Sequence, residues 1–187
     1  MPPNLESSLG HPSVGGLREI ILRAAGPARA VVLIDGRSGS GKSGVARELA
    51  ASWPEAQLVR LDDVYPGWEG LEQASRQVAE RMLSAPDPAW QRWDWVLGVA
   101  AEWVPLDPAR PLIVEGIGSL SRANRRLASY GIWIELDAVT RKRRALERDG
   151  EQYERHWHDW AVQEERFIAR EHPQTLADLV IDERSQP

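Results

Sequence analysis

The run Ala30-Val31-Val32-Leu33-Ile34-Asp35-Gly36-Arg37-Ser38-Gly39-Ser40-Gly41-Lys42-Ser43 decides the fold. Ala30 to Asp35 is an apolar stretch that stops at a glycine-rich loop, as a strand buried on both faces of a parallel sheet would. Gly36 to Ser43 then fits G-x-x-x-x-G-K-[ST] without a mismatch. Glycines let a backbone wrap tightly round phosphate oxygens and turn successive N–H groups inward. The spelling predicts that Gly36, Arg37, Ser38, Gly39, Ser40, Gly41, Lys42 and Ser43 cradle ATP. Lys42 is placed to reach the β- and γ-phosphates, and the Ser43 hydroxyl to hold Mg²⁺. A helix over Gly44 to Ser52 would aim its positive N-terminal end at the same anion. The Arg37 side chain points either at substrate or at solvent. No N-K-x-D segment occurs, which argues against a GTPase-type switch.

Outward from this loop, Gln57 to Leu61, Pro111 to Glu115, Ile132 to Leu136 and Leu179 to Asp182 read as four further short strands, separated by helical patterns as βαβ units require. Before the loop, Leu17, Ile20, Ile21 and Ala24 lie at helical spacing, closed by Gly26-Pro27. Leu71, Ala74, Val78 and Met82 form a second helical stripe. Trp95, Val96, Val99, Ala100 and Trp103 form a third, and Tyr153, Trp157, Trp160, Ala161, Glu164 and Ile168 a fourth. The reading is one α/β domain over residues 14–187, with a five-stranded parallel core. Met1 to Ser13, rich in Pro, Gly and Ser, reads as a disordered tail rather than a signal peptide.

The bulk properties narrow the function classes. A net charge of −5 offers no general attraction to nucleic acid or to an anionic membrane. With no cysteine, disulfides, thiolate metal sites and cysteine nucleophiles are excluded. No apolar run approaches the roughly 18 residues of a membrane span, so a cytoplasmic protein is expected. The 9 tryptophans follow no repeat. They are expected mainly as core or half-buried side chains with bonded indole N–H groups, or as a cluster beside a ligand.

Ligands of open parallel sheets bind beyond the carboxyl ends of the strands. Two predicted strands end there in acids, at Leu61-Asp62-Asp63 and Val114-Glu115-Gly116. Phosphoryl transfer to a hydroxyl needs a group that orients the nucleophile and accepts its proton, which selects Asp62. Glu115, a carboxylate at the end of an apolar strand, is selected to order Mg²⁺ or to bind substrate, since burial without a partner is costly. Arg141, Lys142, Arg143, Arg144 and Arg148 form a dense basic run after the fourth predicted strand. Arg141, Arg144 and Arg148 share a helical face, where their mutual repulsion would be relieved by an anion. Arg144 and Arg148 are the arginines expected at the transferring phosphate. Arg122, Arg125 and Arg126 read as a solvated helix face. His156 and His158, two apart, would point away from each other on a helix, so a metal site there is not expected.

These segments, in this order, resemble the uridine kinase and phosphoribulokinase-like branch of P-loop kinases, which includes nicotinamide riboside and pantothenate kinases. Ile34 to Ser43 is similar to the phosphate loop, and Leu61 to Tyr65 to a D-[SD]-F-[YF] segment whose first aspartate is the catalytic base. Trp93-Asp94-Trp95 resembles a segment lining the acceptor pocket, and Leu112 to Ile117 the acidic strand L-I-V-E-G-[IF]. Thr140 to Asp149 resembles the arginine-rich lid, and Ala177 to Asp182 the last strand. The resemblance implies a three-layer α/β/α P-loop NTPase fold with an arginine-rich lid. It also implies an ATP-dependent kinase whose small-molecule acceptor meets Asp62, Tyr65, Trp93, Asp94 and Glu115. The stretch from Tyr65 to Trp93 is shorter than in uridine kinases, and Asp94 matches either of two family positions. These departures leave the acceptor open, and the resemblance alone implies a nucleoside-like one. A sugar acid or vitamin precursor is the alternative, and a nucleotide-binding regulator without transferase activity a third reading.

Overall fold

The computed structural model describes residues 14–182, so the tail expected over Met1 to Ser13 lies outside the described residues. Its centre is a parallel sheet of β1 (Val31–Asp35), β2 (Gln57–Arg60), β5 (Leu112–Glu115), β6 (Tyr130–Glu135) and β7 (Leu179–Asp182). They lie side by side in the order β2-β5-β1-β6-β7. All five strands expected from the sequence are present, each within two residues of its expected ends. The strand that carries the phosphate motif is central, with Leu33 opposite Val114 on one side and Gly131 on the other.

Alternation along these strands creates two cores. Val32, Ile34, Ile113, Ile132 and Ile134 pack on one face with Leu17 and Ile21 of α1 (Val14–Ala25) and with Ala46 and Leu49 of α2 (Lys42–Ala51). Val31, Leu33, Leu112, Val114 and Trp133 pack on the other with Leu71, Ala74, Val78, Met82, Leu120 and Phe167. The sheet is thus the middle of three layers, as expected. Each fully buried aliphatic side chain contributes roughly 1.5–3 kcal/mol, so both helical layers are held chiefly by these stripes. The second stripe begins as α3 (Leu71–Gln77) and widens into a π-helical turn over Val78–Leu83, with Val78 and Met82 still fully buried.

One expectation is corrected. Trp95 to Trp103 is not a helix but the turn and second strand of an antiparallel hairpin, β3 (Ala89–Asp94) and β4 (Val99–Pro105). The helical spacing of Trp95, Val99 and Trp103 loses to turn chemistry. Asp94 Oδ1 accepts from the backbone N–H groups of Val96 (3.0 Å) and Leu97 (2.9 Å), and Gly98 donates back to the Asp94 carbonyl (2.7 Å). Such self-bonded Asp turns compete directly with helix, and the Trp- and Val-rich flanks suit paired strands.

The short α4 (Arg122–Arg125) follows β5, capped by the Ser121 hydroxyl. The basic run and the fourth stripe belong to one element, α5 (Ala138–Glu171), broken at Gly150 (φ 68°, ψ −158°). Its start is fixed by Asp137, whose carboxylate accepts from Thr140 N (2.9 Å), an N-cap that satisfies one otherwise orphaned donor. The last short helix, α6 (Pro173–Leu176), leads into β7.

Candidate nucleotide site

Between β1 and α2 the glycine-rich loop leaves the carboxyl end of the central strand, at the point where strand order reverses. Two of its glycines are dictated by close approach. A Cβ on Gly36 would sit 2.5 Å from the Ile134 carbonyl oxygen, and one on Gly39 (φ 80°) would strike the Arg141 carbonyl. Either side chain would push the loop away from its neighbours. Lys42 opens α2, is almost fully buried, and donates from Nζ to the Arg37 carbonyl (3.2 Å), bridging the loop from end to end.

Ser38 anchors the loop to α5 through all three of its polar groups. Its N–H donates to Glu164 Oε1 (2.8 Å), its hydroxyl accepts from Trp160 Nε1 (3.0 Å), and its carbonyl accepts from Arg141 Nη1 (3.2 Å). Glu164 also receives the Arg37 guanidinium (2.9 Å), so Arg37 points at neither substrate nor open solvent. Arg141 lies buried under the loop, with Nε donated to the Leu136 carbonyl (3.1 Å), and does not face the cavity with the other lid arginines. Sequence reading missed Glu164 as a loop partner; the available signal was an acid on the apolar stripe of Trp160, Ala161 and Ile168.

Beneath the loop, Asp35 is fully buried and accepts from Gly36 N (2.6 Å), Leu120 N (2.7 Å) and Gly118 N (3.1 Å). Burial pushes its carboxyl up to about 7, against the pull of those N–H groups and of Lys42. Asp35 therefore ties the phosphate loop to the segment after β5.

Above the loop, Gly39, Gly41, Lys42, Ser43, Gly44, Arg47, Arg60, Arg144 and Arg148 enclose a cavity of about 280 Å³. Arg144 and Arg148 line this cavity together with Lys42. Ser40 Oγ is buried with no protein partner among the described residues. Loop amides, a helix N-terminus and converging cations form a donor set that fits a triphosphate. Among the described residues no group of three or more acidic or histidine side chains could hold a metal. The donors fit Mg²⁺, which is usually held by one or two protein ligands together with phosphate oxygens; Ser43 and the buried Glu115 would be the residues to hold it.

The acids stand beside this cavity. Asp62 lies in a single 3₁₀ turn (Leu61–Asp63) directly after β2, and Glu115 ends β5. Arg60 joins them, with Nη2 3.3 Å from Asp62 Oδ2 and Nε 3.4 Å from Glu115 Oε1. Arg60 is a second residue that sequence reading passed over, since it reads there as a strand residue. Burial raises the Asp63 carboxyl, and neighbouring Asp62 adds to the shift while Arg60 opposes it.

Two residues expected to meet the acceptor are otherwise engaged. Tyr65 is buried, and its hydroxyl donates to the Ile117 carbonyl (2.7 Å), with burial and surrounding carboxylates raising its pKa well above the usual phenol value. It is a core residue because the segment after β5 needs that donor. Asp94 uses Oδ1 to close the hairpin turn. Trp95 instead reaches the site, donating Nε1 to the Asp62 carbonyl (2.8 Å). Aromatic contacts run from there across the site, with Trp68 5.0 Å from Trp95, stacked on His156 at 4.5 Å and edge-on to Trp160, which meets Tyr65 at 4.8 Å. Arg125, expected as part of a solvated face, donates to both oxygens of Asp178 (2.8 Å each).

No protein-family model matches the chain, and no curated protein matches it in sequence. Solved structures share its fold. A possible uridine kinase from Bacillus stearothermophilus is 18% identical with a TM-score of 0.64, over 90% of this chain and 97% of that one. A candidate fructose transport system kinase from Silicibacter sp. TM1040 is 20% identical with a TM-score of 0.56, over 91% and 99%. The chain therefore has the three-layer fold of P-loop kinases. Among its described residues no helix is long and apolar enough to cross a membrane.

Proposed function

We propose that this chain, built on the fold of P-loop kinases, is an ATP-dependent phosphotransferase acting on a hydroxyl of a small nucleoside-like metabolite. The observation that carries the reading is one cavity edged by the phosphate loop, Lys42, Arg144 and Arg148, with Asp62 and Glu115 at the neighbouring strand ends.

Magnesium-bound ATP supplies the phosphoryl group, and phosphoryl transfer asks the protein chiefly for positioning and charge stabilisation. Loop N–H groups and Lys42 bind and orient the phosphates. Arg144 and Arg148 bring positive charge to the cavity wall, where charge developing during transfer is stabilised. Ser43 and Glu115 would hold the metal. Asp62, half-exposed at the strand end, accepts the proton of the acceptor hydroxyl. Trp93 and Trp95 flank Asp94 on the hairpin next to Asp62 and form the acceptor side.

The nucleoside-like acceptor is supported by the motif resemblance and by the neighbour described as a possible uridine kinase. A sugar-like acceptor is the second reading, favoured by the neighbour described as a fructose transport system kinase. The net charge of −5 supports a free metabolite rather than nucleic acid as the acceptor, and a cytoplasmic site of action is part of the same proposal. A phosphorylation screen of nucleosides against sugars, with Mg·ATP as donor, separates the two. Within it, Asp62→Asn is expected to lower turnover by about 10² to 10⁴ while ATP still binds. Full turnover in that variant would remove Asp62 from the chemistry. ATP binding with no acceptor phosphorylated by the parent protein would instead favour a regulatory role.

A further inference from the structure

Arg60 is unlike the other cations of the cavity. Lys42 comes from α2, and Arg144 and Arg148 from α5, whereas Arg60 ends β2, two residues before Asp62. It lines the same cavity, yet its guanidinium rests on two acids, Asp62 Oδ2 at 3.3 Å and Glu115 Oε1 at 3.4 Å. One side chain therefore touches the proposed base, the proposed metal carboxylate and the phosphate space.

Both contacts are long for charge-assisted bonds, which close to about 2.7–2.9 Å when well made. The Arg60 side chain is 42% exposed and that of Asp62 43%. An ion pair this exposed contributes little and breaks easily, whereas the Glu115 carboxylate is buried and its contact with Arg60 is costly to lose. A terminal phosphate offers several oxygens to the planar guanidinium fork, which matches phosphate geometry in a way that two separate carboxylates do not. The exchange of partners is thus favoured once that phosphate enters the cavity. It also frees the Asp62 oxygen facing Arg60 to accept a proton.

We infer that Arg60 is a γ-phosphate-sensing residue, which exchanges its exposed contact with Asp62 for the terminal phosphate when a nucleoside triphosphate binds. This rests on the proposed kinase reading. Its signature is a preference for triphosphate over diphosphate that depends on residue 60. Arg144 and Arg148 reach the same cavity from α5.

The test is calorimetric titration of the parent protein, Arg60→Ala and Arg60→Lys with Mg·ADP and with a non-hydrolysable Mg·ATP analogue. Arg60→Ala is expected to bind ADP within about twofold of the parent and the analogue on the order of tenfold more weakly. Arg60→Lys, which keeps the charge and loses the fork, should fall between. If Arg60→Ala proves insoluble, Arg60→Gln carries the same comparison. An unchanged ratio of the two affinities, or equal weakening of both, overturns the role of Arg60 and leaves nucleotide binding standing. A parent protein that binds neither nucleotide overturns the kinase reading, and this inference falls with it.

Discussion

The two sides of the site are built differently. On the phosphate side, Ser38 has every polar group bonded to α5, Asp35 holds three backbone N–H groups, and Lys42 bridges the loop, all in buried surroundings. On the acceptor side stands a two-stranded hairpin whose tip exposes 93% of Val96 and 72% of Leu97. It reaches Asp62 through the Trp95 indole. A triphosphate presents one shape, so a preorganised cradle loses nothing by being stiff. A two-stranded hairpin is marginal by itself, and this one is held to the domain through half-buried Trp90 and Trp95 while its tip stays exposed. In the proposed kinase, specificity for phosphate would therefore be held in the core and specificity for the acceptor on its edge.

The largest expected effect tests the stiff side. Glu164→Ala leaves the Ser38 N–H and the Arg37 guanidinium without their buried carboxylate, which should cost about 3–5 kcal/mol of stability. ATP affinity should fall about tenfold because the loop is no longer preorganised. Denaturant unfolding and calorimetry would read these two numbers. Parent-like nucleotide affinity in a folded Glu164→Ala protein would break the comparison, by showing that the loop holds its shape without α5.

A somewhat smaller effect comes from Asp35. Its folded-state pKa is raised to about 7 by burial, so the folded protein binds the proton more tightly than the unfolded chain does. Stability is therefore expected to fall as pH rises from about 4 through about 7, by a few kcal/mol from this group alone. Asp35→Asn cannot titrate and should lose that slope, although it will be less stable at low pH because one N–H donor then faces an amide. Urea denaturation at several pH values gives both curves; parallel curves would show that the backbone donors outweigh burial.

The smallest effect belongs to the hairpin. Trp95→Phe keeps an aromatic ring against Trp68 and removes the N–H donor to the Asp62 carbonyl, worth about 1 kcal/mol. The expected outcome is a several-fold rise in acceptor KM with ATP KM unchanged. A matching change in ATP KM would show that the two sides are mechanically one.

How much of this was legible in the sequence depends on how far apart the interacting residues lie. The sheet was legible because each strand is a local apolar run, and the phosphate loop because its residues are consecutive. Arg144 and Arg148 were found beside it because their helical spacing survives in α5. The hairpin was misread because Trp95, Val99 and Trp103 satisfy a helical period while Asp94 and Gly98 make a turn, and spacing was weighed above the turn. The bond from Glu164 to Ser38 spans 126 residues, so no local pattern reports it. Arg60 was missed for a related reason. Asp62 is only two residues away, but Glu115 comes from another strand, and only the pairing of β2 with β5, Arg60 opposite Glu115, brings the second acid to it.

Ser38 fills a position that the phosphate motif leaves open to any residue. In this fold that freedom is narrowed, since a side chain without an acceptor there would strand the Trp160 indole N–H, although the Glu164 and Arg141 bonds, made to the Ser38 backbone, would remain. Drift in the loop and drift in the long helix must therefore proceed together, and a graft of the motif alone onto another scaffold would leave its fastening behind.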